Sequence, residues 1–128
     1  MKIRAYVAFV ACLATMSCGP FIPVTKLDKV PPETMTAALN VKIYRAGAET
    51  PKVNQFIGQV VGNSCKNLMT DPPPTTNDAL LRLRVDAVQK GANAVMDVTC
   101  DAAGTDTWGT NCWSSVSCKG NAIRTPID

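Results

Sequence analysis

Two short stretches of the chain alternate apolar and polar positions, and then the period changes. Val41-Lys42-Ile43-Tyr44 alternates and predicts a first strand. Phe56-Ile57-Gly58-Gln59-Val60-Val61 predicts a second, ended by the turn chemistry of Gly62-Asn63-Ser64 just before Cys65. Asp71-Pro72-Pro73-Pro74 is a stiff connection that excludes helix. From Ala79 the period becomes 3.6: Leu80, Leu83 and Ala87 share one stripe, Leu81, Val85 and Val88 flank it, and Arg82, Asp86, Gln89 and Lys90 lie opposite. Thr76-Asn77-Asp78 offers N-cap groups and Gly91 is the expected stop. Arg84 falls inside the apolar arc, which predicts a stem lying on the core with its head at the rim. Ala94 to Cys100 predicts a third strand, and Trp113 to Cys118, extended by Asn121-Ala122-Ile123, a fourth. The order β-β-α-β-β predicts an α+β domain, a small antiparallel sheet of about four strands packed against one helix.

Ahead of the first strand the pattern is of another kind. Lys2 and Arg4 precede an apolar, small-residue run from Tyr6 to Met16, and Ser17-Cys18-Gly19 follows. Basic, apolar and then small residues are the order of a secretory signal, and the apolar run is too short to span a bilayer as a stable helix. Thr15-Met16-Ser17-Cys18 resembles the lipobox of bacterial lipoproteins. That resemblance implies a signal peptide over residues 1–17 and acylation of Cys18, palmitate included, with Gly19 rather than Asp in the next position implying the outer membrane. Each buried CH₂ contributes about 0.8 kcal/mol, so several acyl chains make a firm anchor. Residues 18–40 read as the lipidated cysteine and a linker, with Pro20, Pro23, Pro31 and Pro32 and no helical or strand period. At about 3.1 Å per residue an extended segment of this length reaches on the order of 60 Å. Residues 41–128 are then the folded domain.

Composition removes several function classes. The chain has 128 residues and no histidine, the commonest general base and metal ligand. Its formal net charge is +3, but Lys2 and Arg4 belong to the signal, so the mature chain is near neutral. That argues against nucleic-acid binding, which needs a concentrated basic face. There is no Gly-x-Ser-x-Gly, phosphate loop or paired-carboxylate spacing. No catalytic residue, cofactor or small-molecule substrate is therefore expected, and the chain is not read as an enzyme.

Roughly 85 residues remain to fold, few enough that the core needs staples. Of the six cysteines, Cys12 and Cys18 lie in the signal region, leaving Cys65, Cys100, Cys112 and Cys118. Four cysteines in a small exported domain read as two disulfides. If Trp113 to Ser117 is extended, Cys112 and Cys118 are roughly 20 Å apart, against the ~7 Å limit of a disulfide. This removes the Cys112–Cys118 pair and with it Cys65–Cys100. A nested pairing (Cys65–Cys118 with Cys100–Cys112) and a crossed one (Cys65–Cys112 with Cys100–Cys118) both survive. No C-x-x-C or C-x₂-C pair supports a redox or metal site.

Several runs together resemble the RcsF family of outer-membrane lipoproteins. They are Val41-Lys42-Ile43-Tyr44, Gly58-Gln59-Val60-Val61-Gly62-Asn63-Ser64-Cys65, Pro72-Pro73, Ala92-Asn93-Ala94-Val95, and the set Cys100, Cys112, Cys118 and Gly120. The resemblance implies the crossed disulfides Cys65–Cys112 and Cys100–Cys118. It implies a sensor of envelope damage, facing the periplasm, that acts by contact with IgaA, an inner-membrane repressor of the Rcs phosphorelay. It also implies a resting association with β-barrel proteins and their assembly factor BamA. Trp108 and Trp113, beside loop residues, are the candidate partner surface, because aromatics are enriched at binding hot spots. Packing on the sheet is the competing role for Trp113. The alternative reading of the whole chain is a structural or binding lipoprotein of the envelope without signalling output.

Overall fold

The change of period after the prolines does mark a helix. In the computed structural model, which describes residues 22–106 and 111–127, it runs over Thr76–Gln89 and is termed α2. It begins four residues before Leu80, the first residue of the apolar stripe. Its cap is Thr75, not the Thr76–Asp78 run: the Thr75 hydroxyl accepts the Asp78 N–H at 3.1 Å. Gly91, at φ +85°, lets the chain turn away at the other end.

Helix α2 covers one face of a four-stranded sheet formed by β1 (Lys42–Arg45), β2 (Gln55–Lys66), β3 (Ala94–Ala102) and β4 (Ser114–Arg124), in the order β1-β3-β4-β2. The architecture is α+β, as the residue pattern predicts, but two particulars differ. The sheet is mixed: β2–β4 and β3–β4 are antiparallel, whereas β1 runs parallel to β3. The reason is that β1 and β2 are not a hairpin. The loop between them, with Gly47 and Pro51, carries the chain to the opposite edge of the sheet, and α2 then brings it back from β2 to β3. The second difference is an additional helix, α1 (Pro32–Leu39), in a stretch that shows no clear period. Pro32 stands in its first turn, where a proline costs no hydrogen bond, and α1 packs against α2.

The core lies between α2 and the sheet. Val60, Leu80, Leu83, Ala87, Val95, Val98, Cys118 and Ala122 are among its members. A register shift in β3 between Met96 and Thr99, with Asp97 at φ +55°, places both Val95 and Val98 in this core. Strand β2 continues through the Gly62-Asn63-Ser64 run instead of turning there. Gly62 is the reason it can pack. A Cβ at this position would sit 2.1 Å from the Ala79 carbonyl oxygen and 2.2 Å from the Leu83 nitrogen. The helix backbone therefore rides directly on the strand.

β2 is an edge strand, and an edge with unpaired peptide groups invites association. Here α2 covers it. The Asp86 carboxylate accepts the Val61 N–H at 3.1 Å, and the Lys90 ammonium donates to the Gln59 carbonyl at 3.1 Å. Asp86 and Lys90 also pair with each other at 3.3 Å. Arg84 is half-buried, and its Nε is enclosed without a hydrogen-bond partner among the described residues, so its head is less free than snorkelling implies.

Candidate functional site

Cys65, Cys100, Cys112 and Cys118 form two crossed disulfides. Cys100 and Cys118 face one another across β3 and β4, with Cα atoms 4.1 Å apart. Cys65, near the end of β2, bonds Cys112, just before β4, at a Cα separation of 5.5 Å. The nested alternative is thereby removed. Cys112 and Cys118 are both wholly buried, so these sulfurs serve as part of the packing as well as cross-links. Among the described residues no group of three or more acidic or cysteine side chains is placed to hold a metal ion.

The Cys65–Cys112 end of the domain is also where the segment leading from the amino terminus docks. Ile22 is 6% exposed, and its N–H donates to the buried Asp106 carboxylate at 3.0 Å. Asp106 is held in turn by its own N–H, which donates to the Cys112 carbonyl at 2.8 Å. One residue on, the Pro23 carbonyl accepts from the side-chain amide of buried Asn63 at 2.7 Å. The Thr25 carbonyl then accepts from the Arg82 guanidinium on α2. A 3₁₀ turn (Leu27–Lys29) and α1 complete the path to β1. Residues 22–39 are thus seated along the domain and are not a free extended leash. Peeling them off breaks the bonds to Asp106, Asn63 and Arg82, each contributing on the order of 1 kcal/mol net.

The same end carries exposed apolar side chains. Trp113 is 59% exposed, and its backbone N–H donates to the Lys66 carbonyl at 2.8 Å. Leu68 and Met69, 61% and 82% exposed, stand in the turn that follows. That turn is fixed by Asp71, whose carboxylate accepts the N–H groups of Asn67 and Leu68 at 3.1 and 2.8 Å. The Asn67 amide reaches the Asn111 carbonyl at 3.5 Å, tying the turn to the loop before β4. Of the two tryptophans singled out in the sequence, Trp113 therefore points outward. Trp108 lies outside the described residues, as does Cys18. Leu68 and Met69 escape a reading by period. Their only signal is that two large apolar residues occupy a turn between Cys65 and a run of prolines, where no strand or helix buries them.

No helix among the described residues is long and apolar enough to cross a membrane. The family model of the RcsF lipoprotein matches residues 21–126, from the docked segment through the last strand. Two outer membrane lipoproteins RcsF, from Escherichia coli K12 and Escherichia coli O6:H1, are each 31% identical over 104 residues, covering 80% of this chain and 74% of the relative. With a family match across the docked segment, the helices, the sheet and all four bonded cysteines, this chain belongs to the RcsF lipoprotein family.

Proposed function

We propose that the protein is an outer-membrane-anchored lipoprotein that senses envelope damage and signals to an inner-membrane, IgaA-like regulator of the Rcs phosphorelay. The observation that carries this reading is the span of the family match, residues 21–126, which includes the docked segment as well as the head. In this reading residues 1–17 are the signal peptide and Cys18 is the acylated first residue of the mature chain. The head does no chemistry. It is a rigid body cross-linked by two disulfides, and its output is where it is and what it touches. At rest it is held at the outer membrane with BamA and β-barrel proteins; after damage it meets the IgaA-like partner.

A spatial mechanism has a direct test. Gly19→Asp replaces the residue after the acylated cysteine by the one that implies retention at the inner membrane. The relocated protein is expected to hold an Rcs-dependent reporter on without any envelope stress. A reporter that stays at its resting level, with the protein present at the inner membrane, contradicts the mechanism.

A further inference from the structure

We infer that the end of the domain bearing Leu68, Met69 and Trp113 rests on the lipid surface in the anchored protein. The inference rests on acylation of Cys18. It follows from how little chain separates that residue from the docked segment. Cys18 and Ile22 are four positions apart, and at ~3.3–3.6 Å per residue their Cα atoms can be no more than about 14 Å apart. Ile22 is not loose: its N–H is bonded to buried Asp106 and its side chain is 6% exposed. With the segment seated, the bilayer therefore lies within about 14 Å of Ile22.

What faces the bilayer is then set by the fold. Asp106 is bridged to Cys112, Cys112 is followed by Trp113, and the Trp113 backbone N–H donates to the carbonyl of Lys66, two residues before Leu68. The point where the anchor enters and the exposed apolar side chains thus belong to one end of the molecule. Trp113, Leu68 and Met69 are 59%, 61% and 82% exposed. Tryptophan is enriched at membrane interfaces, where its apolar body and N–H are both accommodated, and apolar side chains add affinity as they enter the headgroup boundary. Lys66, whose carbonyl accepts the Trp113 backbone N–H, puts a cation at this end that suits an anionic lipid surface. A short tether makes even a weak contact persistent by raising its effective concentration.

The test uses the full mature protein, purified with its acyl chains and reconstituted into vesicles of phosphatidylethanolamine and phosphatidylglycerol, with and without bromine on the acyl chains. A Trp108→Phe background leaves Trp113 as the one indole. Bromolipid is expected to quench the larger part of Trp113 emission, and the quenching is expected to fall severalfold in the Leu68→Asp/Met69→Asp variant. Leu68 and Met69 are exposed, so the variant folds, and retained disulfides and circular dichroism check this. Unquenched Trp113 in protein whose mass shows the acyl chains overturns the inference while leaving the anchor intact. A mass without acyl chains removes the anchor and the inference with it.

Discussion

Gly62→Ala is expected to destabilise the domain by about 3 kcal/mol or more, the upper end of what overpacking costs. One methyl group has this effect because of what it meets. The nearest atoms to the added Cβ are the Ala79 carbonyl oxygen at 2.1 Å and the Leu83 nitrogen at 2.2 Å. Both are backbone atoms, so no side-chain rotation makes room. The helix must lift from β2, and its Leu80 and Leu83 then lose packing in the core they share with Val60 of the strand. The Asp86–Val61 and Lys90–Gln59 bonds, which cover the strand edge, are strained by the same movement. Urea denaturation of the oxidised protein followed by circular dichroism reads the loss as a lower midpoint. Truncating Leu83 in the same chain is expected to give no rescue. A midpoint equal to that of the parent protein would show that helix and strand are not in close contact at this position.

Loss of a disulfide is the second large effect, and the two bonds are expected to differ. Cys65–Cys112 closes a sequence separation of 47 residues and Cys100–Cys118 one of 18. By loop-closure entropy these are worth about 4 and about 3 kcal/mol respectively. Small domains have about 5–15 kcal/mol in total, so Cys65→Ala/Cys112→Ala should leave the head near the limit of folding. The paired variants, measured under one denaturant series, are expected to rank with the longer loop as the more damaging loss. The opposite order would mean that burial of Cys118 in the core, and not chain closure, dominates. The Cys65–Cys112 bond has a further consequence, since it holds the Asp106–Cys112 bridge on which Ile22 docks.

How much of this the sequence foretells depends on how local each feature is. Helix α2 is legible because the 3.6 period, the hydroxyl cap and the Gly91 stop all lie within the same short segment. The strands are legible for the same reason, apart from the Gly62-Asn63-Ser64 run. There, Gly62 is demanded by the helix lying on the strand, while Asn63 bonds the docked segment and Ser64 accepts the Thr75 N–H. The parallel pairing of β1 with β3 is not legible, because it depends on which edge of the sheet the chain reaches after an irregular loop. Helix α1 is hidden by its prolines. Pro31-Pro32 reads as a break, yet a proline in the first turn is compatible with a helix that follows it. The docked segment is less legible still. Its partners Asn63, Arg82 and Asp106 come from β2, α2 and a loop, and nothing in their spacing points to residues 22–25.

In the proposed reading, an acylated Cys18 and a doubly cross-linked head explain the chain's cysteines and set what the head can reach. Mass spectrometry of the mature protein taken from the envelope, intact and after digestion without reductant, addresses both parts at once. The expected result is a chain beginning at Cys18 with added acyl mass, yielding peptides joined through Cys65–Cys112 and Cys100–Cys118. Free thiols at those four positions, or a mature chain that carries no acyl group, would contradict that reading.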